Sequence, residues 1–413
     1  MFEPFTGNDR CSHYCSCFKE ENKNASLGQR TTIAKQERKI EGEATSATTF
    51  DGSIIQMAKQ IDIERPLESG KGAVHAREQV LFYRSFAHYS PIGKCWHLEI
   101  HGSIFAPTRR HIRKHVLLHL FKRVVKPEKG KQVRERFKDR AHLFLNVSKR
   151  NKAVPISIAE KAFELPRSSP DGHFYTTLTV PEKELEASIV EDPQGRRFIQ
   201  FAAHLAEEDE RLFAGEIELV PPQGVSVITD IDDTIKITNV ADRRELLANT
   251  FTREFQAVPE MADICRQWAS SGASVHYVSS SPWPLYSLLV DWLDKDQFPV
   301  GSLHLRNVRL SVLRKNWKRQ SAYDTKLKTI LTLMRTYPQR RFLLCGDSGE
   351  RDAELYAEIY SQFGEQVQHI AIRYIENGHH KYSREQVREI LSFIPSAKWT
   401  LFERADELKT ISI

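Results

Sequence analysis

The sequence predicts an α/β domain with a parallel sheet wrapped by helices, preceded by a β-sandwich-like domain and a flexible N-terminal tail. From residue 225 onward strand-like and helix-like stretches alternate. Strands are expected over 225–229, 274–278, 341–345 and 369–374, and helices over 259–269, 284–293, 324–336 and 353–363. Such alternation gives a parallel sheet covered by helices. Between about 78 and 222 the pattern is different. Short alternating segments at 97–105, 142–147, 173–180, 197–203 and 212–220 are separated by turn signals such as Ser169-Pro170-Asp171-Gly172 and Asp192-Pro193-Gln194-Gly195. Strands with few helices between them suggest an antiparallel sandwich. Residues 1 to about 74 are polar and aperiodic, as a disordered segment would be. The expected boundaries are therefore 1–76, 77–222 and 223–413.

At 413 residues the chain suits two domains and a tail. It contains no apolar run of about 18 residues that could span a bilayer. Met1-Phe2-Glu3-Pro4 offers neither a basic start nor an apolar segment, so no secretory signal is expected. Cys265 and Cys345 lie in apolar stretches and read as core thiols of a reducing, cytoplasmic compartment. The tail carries Cys11, His13, Cys15 and Cys17. Their one-residue gaps are tighter than a zinc knuckle, and lipidation is the other chemistry open to them; a tail without function is the favoured reading.

The net charge of +6 is unevenly spread. Residues 109–140 hold thirteen Lys or Arg against three acids, a local excess of +10. Within them Ile112, Val116, Leu117, Leu120, Phe121 and Val124 share one helical face, flanked by Arg109, Arg110, Arg113, Lys114, Lys122, Arg123 and Lys126. A basic amphipathic helix over 109–126 suits an anionic membrane surface as a transient partner. The bland reading is equally physical: the apolar face packs on the sandwich and the basic face is solvated.

The chemistry concentrates at the strand ends. In Val225-Ser226-Val227-Ile228-Thr229-Asp230-Ile231-Asp232-Asp233-Thr234, alternation would point Asp230 and Asp232 the same way and crowd two like charges. A cation or a shared proton would relieve them. In parallel sheets ligands bind at the carboxyl edge of the strands. There the sequence offers Ser279-Ser280-Ser281 after the second strand and Gly346-Asp347-Ser348-Gly349-Glu350-Arg351-Asp352 after the third, with Lys326 in the helix between. This is the inventory of phosphate-ester cleavage. One carboxylate takes the phosphoryl group and a second moves protons, while a hydroxyl and an ammonium steady the phosphoryl oxygens. Asp230 and Asp347 supply oxygen ligands for Mg²⁺, and Gly346 and Gly349 allow the backbone to turn tightly around it.

The order DxDxT, strand-end Ser, Lys and GDxxxxD resembles the haloacid dehalogenase superfamily over about residues 225–375. That resemblance implies a three-layer, Rossmannoid catalytic domain. It implies Asp230 as nucleophile and Asp232 as acid/base. Thr234, Ser279, Ser280 and Lys326 would be the phosphate-binding groups. Mg²⁺ would be the cofactor, held by Asp230, Asp347 and Asp352 and by the backbone carbonyl of Asp232. Asp instead of Thr at 232 favours a phosphatase over an ATPase-like member. More narrowly, Gly224–Lys236, His276–Trp283 and Gly346–Glu350 look like the Mg²⁺-dependent phosphatidate phosphatases named after a fungal actin-patch protein. That family cleaves phosphatidate to diacylglycerol and also carries a β-rich region before its catalytic domain.

Forty-eight residues separate Asp230 from Ser279 and forty-six separate Ser279 from Lys326, too few for a large cap domain. A cap-less phosphatase of this kind would suit a large or surface-bound substrate such as a phospholipid. The basic segment Arg306–Arg319 fits that surface and fits nucleic acid almost as well. Two other readings compete: the same mechanism on another phosphomonoester, such as a nucleic-acid end or a phosphoprotein, and a non-catalytic module whose carboxylates only hold a metal.

Overall fold

The computed structural model describes residues 72–108, 119, 122, 130–205, 209–307, 320–375, 381–411 and 413. The cysteine-bearing tail and the basic residues 308–319 lie outside them. Of the basic helix 109–126 only His119 and Lys122 are described, both helical.

Ten strands form one hydrogen-bonded sheet: β1 Gln79–Phe82, β2 Ser85–Ser90, β3 Cys95–Ala106, β4 Val147–Ser148, β5 Pro155–Ile158, β6 Lys161–Glu164, β7 His173–Pro181, β8 Ile189–Glu191, β9 Arg197–Ala203 and β10 Ala214–Val220. The long strand β3 is the branch point and pairs antiparallel with β1, β2, β4 and β7. Its alternation decides its faces: Trp96, Leu98, Ile100 and Ile104 are buried while His97, Glu99 and His101 line the other side. The inner residues meet Phe82, Phe174, Ile199, Phe201 and Leu219 in one apolar cluster. The sheet is not wholly antiparallel as expected, because β10 runs parallel to β2. That pair is the seam where the β1–β3 half joins the β5–β9 half.

A second correction concerns residues 142–147, expected as a strand. Helix α1, Lys131–Leu143, takes its first two residues, Phe144 and Leu145 form a turn, and only Val147 enters a strand, β4. Phe137, Ala141 and Leu145 recur every four residues and bury together against Phe251. The guanidinium of Arg140 donates to the Thr250 carbonyl at 2.8 Å and lies 4.2 Å from the Phe255 ring. Alternating residues at the helix's end had imitated a strand.

The second sheet contains β11 Gly224–Thr229, β12 Ser274–Pro282, β13 Ser302–Arg306, β14 Arg340–Asp347, β15 Val367–Arg373 and β16 Trp399–Phe402. Their order is β13-β12-β11-β14-β15-β16, with every neighbouring pair parallel. The connecting helices are α2 Arg243–Phe251, α3 Met261–Ser270, α4 Tyr286–Lys295, α5 Gln320–Thr336, α6 Asp352–Phe363 and α7 Arg384–Leu391. Neighbouring residues on each strand bury on opposite faces, as the pleat requires. Val227, Val275, Tyr277 and Leu343 pack with Ile264 and Trp268 of α3 and Leu289 and Trp292 of α4. Ile228, Val278, Phe342 and Leu344 pack with Ile330 and Met334 of α5, Leu355 and Ile359 of α6 and Leu391 of α7. Burial on both faces explains why these strands read as near-continuous apolar runs.

The strand order places a topological switch point between β11 and β14. The chain moves outward from β11 to β13 and then returns to its other side, so the crevice opens at the carboxyl ends of β11 and β14. The ten-stranded sheet also braces this edge. Tyr83 stacks on Trp283 at 4.1 Å, and His101 meets the same indole edge-on at 4.6 Å. Arg84 donates its backbone N–H to the Tyr286 hydroxyl at 2.7 Å and bonds Asp294 through two guanidinium nitrogens at 2.9 Å. Trp283 follows Pro282 directly, so these contacts fix where the serine-rich end of β12 stops.

The sheet interior carries buried imidazoles that make the fold acid-sensitive. His276 lies between the hydroxyls of Ser302 and Ser226, at 2.7 and 3.3 Å. Burial, together with the charges of His304 and Arg340, holds it well below its usual 6.5. Burial brings His304 down to about 4. The unfolded chain protonates both near pH 6.5, whereas the folded chain resists. Their stabilisation is therefore complete above pH 6.5 and is lost as pH falls toward 4, at about 1.4 kcal/mol per pH unit for each histidine. Urea midpoints should drop steeply between pH 6.5 and 4.5; a flat profile would show that these rings already titrate in the folded protein.

Candidate active site

Strand β11 ends at Thr229, and the next eleven residues build the site. The Asp230 backbone N–H still donates to the Cys345 carbonyl of β14 at 2.9 Å. The chain then turns: Asp233 has φ 61°, a left-handed conformation rare outside glycine. Its carboxylate accepts from the amides of Thr238 and Val240 at 2.7 and 2.6 Å and from Asn239 at 2.6 Å. The Arg373 guanidinium donates to its carbonyl at 2.7 Å. Asp233 thus ties the loop into a ring and holds Asp230 and Asp232 on its rim.

The strand stops before Asp230, so alternation alone does not set the directions of the two carboxylates. Each has its own lysine. Lys326 Nζ stands 3.2 Å from Asp230 Oδ1 and also contacts Asp352 Oδ1 at 2.7 Å and Glu350 Oε2 at 3.1 Å. Lys236 Nζ stands 2.7 Å from Asp232 Oδ1, which also accepts from Thr238 Oγ1 at 2.8 Å. Asp232 Oδ2 accepts from Ser281 Oγ at 2.7 Å and Ser279 Oγ at 3.2 Å. A bulge in β12 between Val278 and Pro282 aims these serines, with Ser279 and Ser281 on one side and Ser280 on the other.

The electrostatics of the two acids diverge. Burial acts to raise Asp232, but Lys236 and the hydroxyls of Ser281 and Thr238 pull it down to about 2. Asp230 moves the other way: burial raises it well above the usual range, Lys326 opposes, and Asp352, Glu350 and Asp232 add to the rise. Asp347 is raised too, by burial and by Asp352, Asp230, Asp233 and Glu350.

This imbalance is what a cation would correct. The ligand-capable oxygens of Asp230, Asp347 and Asp352 lie within 4.8 Å of one another, all buried. Among the described residues neither oxygen of Asp230 accepts a hydrogen bond; the Lys326 ammonium is within ion-pair distance only. Asp347 Oδ1 accepts from the amides of Gly349 and Glu350 at 2.6 and 3.1 Å, and Oδ2 accepts from Thr234 Oγ1 at 3.3 Å. The triad is thus pre-shaped, buried, oxygen-only and short of positive charge, the donor set of a hard metal ion.

The structure brings Asp230, Lys326, Asp347 and Asp352 together and sets Asp232 with Ser279 in an adjoining pocket of contacts. Thr234 turns its hydroxyl to Asp347, and Ser280 donates to Glu350 Oε2 at 3.4 Å. Sequence reasoning gave no role to Asp233, Lys236, Thr238, Ser281 or Glu350. The one available signal for Lys236 was its position four residues after Asp232, and a lone lysine reads as surface. Gly346 also works differently from the expected turn. A Cβ there would lie 2.4 Å from Asp352 Oδ2, so the glycine admits the close approach of that carboxylate. Gly346→Ala should push Asp352 off Lys326 and weaken metal affinity about 10-fold or more, measured by Mg²⁺ titration. Unchanged affinity would remove Asp352 from the ligand set.

Residues 225–374 match the family model of the phosphatidate phosphatase APP1 catalytic domain. Phosphatidate phosphatase APP1 of Saccharomyces cerevisiae is 33% identical over 162 residues, which is 38% of this chain and 27% of that protein. An uncharacterized protein of Schizosaccharomyces pombe is 32% identical over 167 residues, 40% of this chain and 27% of that protein. The chain therefore spans about a quarter of the length of these curated relatives. Among solved structures, the class C acid phosphatase from Bacillus anthracis with tungstate bound aligns over 41% of this chain and 79% of its own. Its TM-score of 0.24 at 15% identity carries no further inference.

Proposed function

We propose that this chain is a Mg²⁺-dependent phosphatidate phosphatase that hydrolyses the phosphomonoester through a phosphoaspartyl intermediate. One observation carries the reading: two buried aspartates at the switch point, each held by a separate lysine, one of them part of a buried carboxylate triad, all within the family-matching segment. The catalytic unit is taken as 223–413, a haloacid-dehalogenase-like three-layer domain with little or no cap. It follows the β-rich part 77–222 and the tail 1–76.

Asp230 Oδ attacks phosphorus and the P–O bond to the glycerol oxygen breaks; Asp232, protonated once the entering phosphate's negative charge has opposed Lys236 and raised it from about 2, gives that proton to the departing alkoxide to yield diacylglycerol. Asp232 then takes a proton from water as the hydroxyl attacks phosphorus, and the acyl phosphate opens to inorganic phosphate and the Asp230 carboxylate. Lys326, Thr234, Ser279 and Ser280 steady the non-bridging oxygens through both steps. Asp230, Asp347 and Asp352, with the Asp232 carbonyl, would hold Mg²⁺, which supplies positive charge for the phosphoryl oxygens and for Asp230. Lys236 keeps Asp232 in position and Asp233 keeps the loop closed.

Among the described residues no helix is long and apolar enough to cross a membrane. We infer a cytoplasmic enzyme that meets its lipid peripherally, with the basic segment 109–126 as the surface contact. The test is phosphate release from phosphatidate in mixed micelles against a soluble aryl phosphate, with and without chelator. Release from phosphatidate should be faster and should stop on chelation. Equal rates on the two substrates would reject the lipid and leave the phosphatase, and release that persists in chelator would reject the metal.

A further inference from the structure

Glu350 belongs to the site, yet the chemistry above gives it no task. Its Oε2 is 3.1 Å from Lys326 Nζ and accepts from Ser280 Oγ at 3.4 Å. Arg306, at the carboxyl end of β13, feels the same charge, which acts to raise its pKa against burial. Groups from β12, β13 and α5 thus bear on one carboxylate, and two of them are groups assigned to the phosphoryl oxygens. A carboxylate oxygen is the internal counterpart of such an oxygen: anionic, acceptor-only and matched to ammonium and hydroxyl donors.

Lys326 does not depend on this contact, because Asp352 and Asp230 remain at 2.7 and 3.2 Å. The three acids differ in exposure. The side chains of Asp230 and Asp352 are 1% and 2% exposed, while that of Glu350 is 29% exposed. Glu350 alone among them can turn its charge into water without crossing the protein interior. Its backbone is pinned meanwhile: its N–H donates to Asp347, and the guanidinium of the next residue, Arg351, lies 4.2 Å from the Tyr323 ring and pairs with Glu354. The movement needed is a side-chain rotation.

We propose that Glu350 is a displaceable internal ligand of the phosphoryl cradle, occupying Lys326 and Ser280 until a phosphate takes those contacts and turns the carboxylate out to solvent. This rests on the reading of Lys326 and Ser280 as phosphoryl-binding groups. Two consequences follow. The buried ammonium stays oriented when no substrate is bound, and every phosphate that binds must first meet the cost of moving Glu350. Phosphate affinity is therefore set below what the cradle alone would give, which favours release of the product.

The test is titration calorimetry of inorganic phosphate into the full chain at fixed Mg²⁺, for wild type, Glu350→Gln and Glu350→Asp, with melting curves to confirm folding. Glu350→Gln should bind phosphate about 10-fold more tightly, equivalent to about 1.4 kcal/mol. Glu350→Asp, with its carboxylate drawn back by one methylene, should fall between the two. Equal or weaker binding by Glu350→Gln overturns the proposal and leaves the phosphoryl cradle standing. If folded wild type and both variants all fail to bind phosphate, the cradle itself is wrong and the proposal falls with it.

Discussion

Asp230→Asn should abolish phosphate release, lowering turnover by about 10⁴-fold or more, because no neighbouring group can replace the nucleophile. The nearest alternatives are committed elsewhere: Asp232 to Lys236 and the serines, and Asp352 to Lys326. The same substitution should leave the metal-free fold at least as stable. Asp230 is a buried carboxylate raised by burial and by its acidic neighbours, and its oxygens accept no hydrogen bond among the described residues. An amide of the same shape removes a charge that the site cannot balance without a cation. Chemical denaturation without metal should therefore give a midpoint no lower than wild type, while assays with metal show no turnover. Turnover within 10-fold of wild type would move the nucleophile to another residue.

Asp232→Asn should fail in two ways at once. Turnover should fall by about 10²–10⁴-fold through loss of proton transfer. Stability should also fall, by about 3 kcal/mol or more, because the Lys236 ammonium stays buried without its carboxylate. Thr238 and the ring of Phe255, 5.0 Å away, are then its remaining neighbours from this set. Adding Lys236→Met separates the two effects, since it removes the orphaned charge with little change in volume. The double variant should recover most of the stability and none of the turnover. If turnover returned with stability, Asp232 would be a structural anchor and the non-catalytic reading would gain ground.

Much of the site was legible because strand ends are legible. The apolar runs into Asp230, Ser279 and Asp347 are strands buried on both faces, and parallel topology forces their carboxyl ends together. Lys326 followed from its helix, whose apolar face packs beneath the same edge. What escaped lies where local geometry departs from the period. The strand ends one residue before Asp230, and the left-handed Asp233 turns the chain, so the pairing of each aspartate with its own lysine could not be read from alternation. Ser281 reaches Asp232 only because of a bulge. In the β-rich part, β1 has only four residues, and β2 buries Phe86 and Ala87 in succession and so lacks the alternation of a strand. The parallel β2–β10 pair joins residues more than a hundred positions apart, which no local pattern records.

The central claim is a covalent phosphoryl group on Asp230, and trapping it tests that claim most directly. Enzyme quenched in acid during turnover of phosphatidate with Mg²⁺, reduced with borohydride and mapped by mass spectrometry should carry the reduced acyl-phosphate product at Asp230. Modification at another carboxylate, or no trapped adduct while phosphate is being released, would contradict the account.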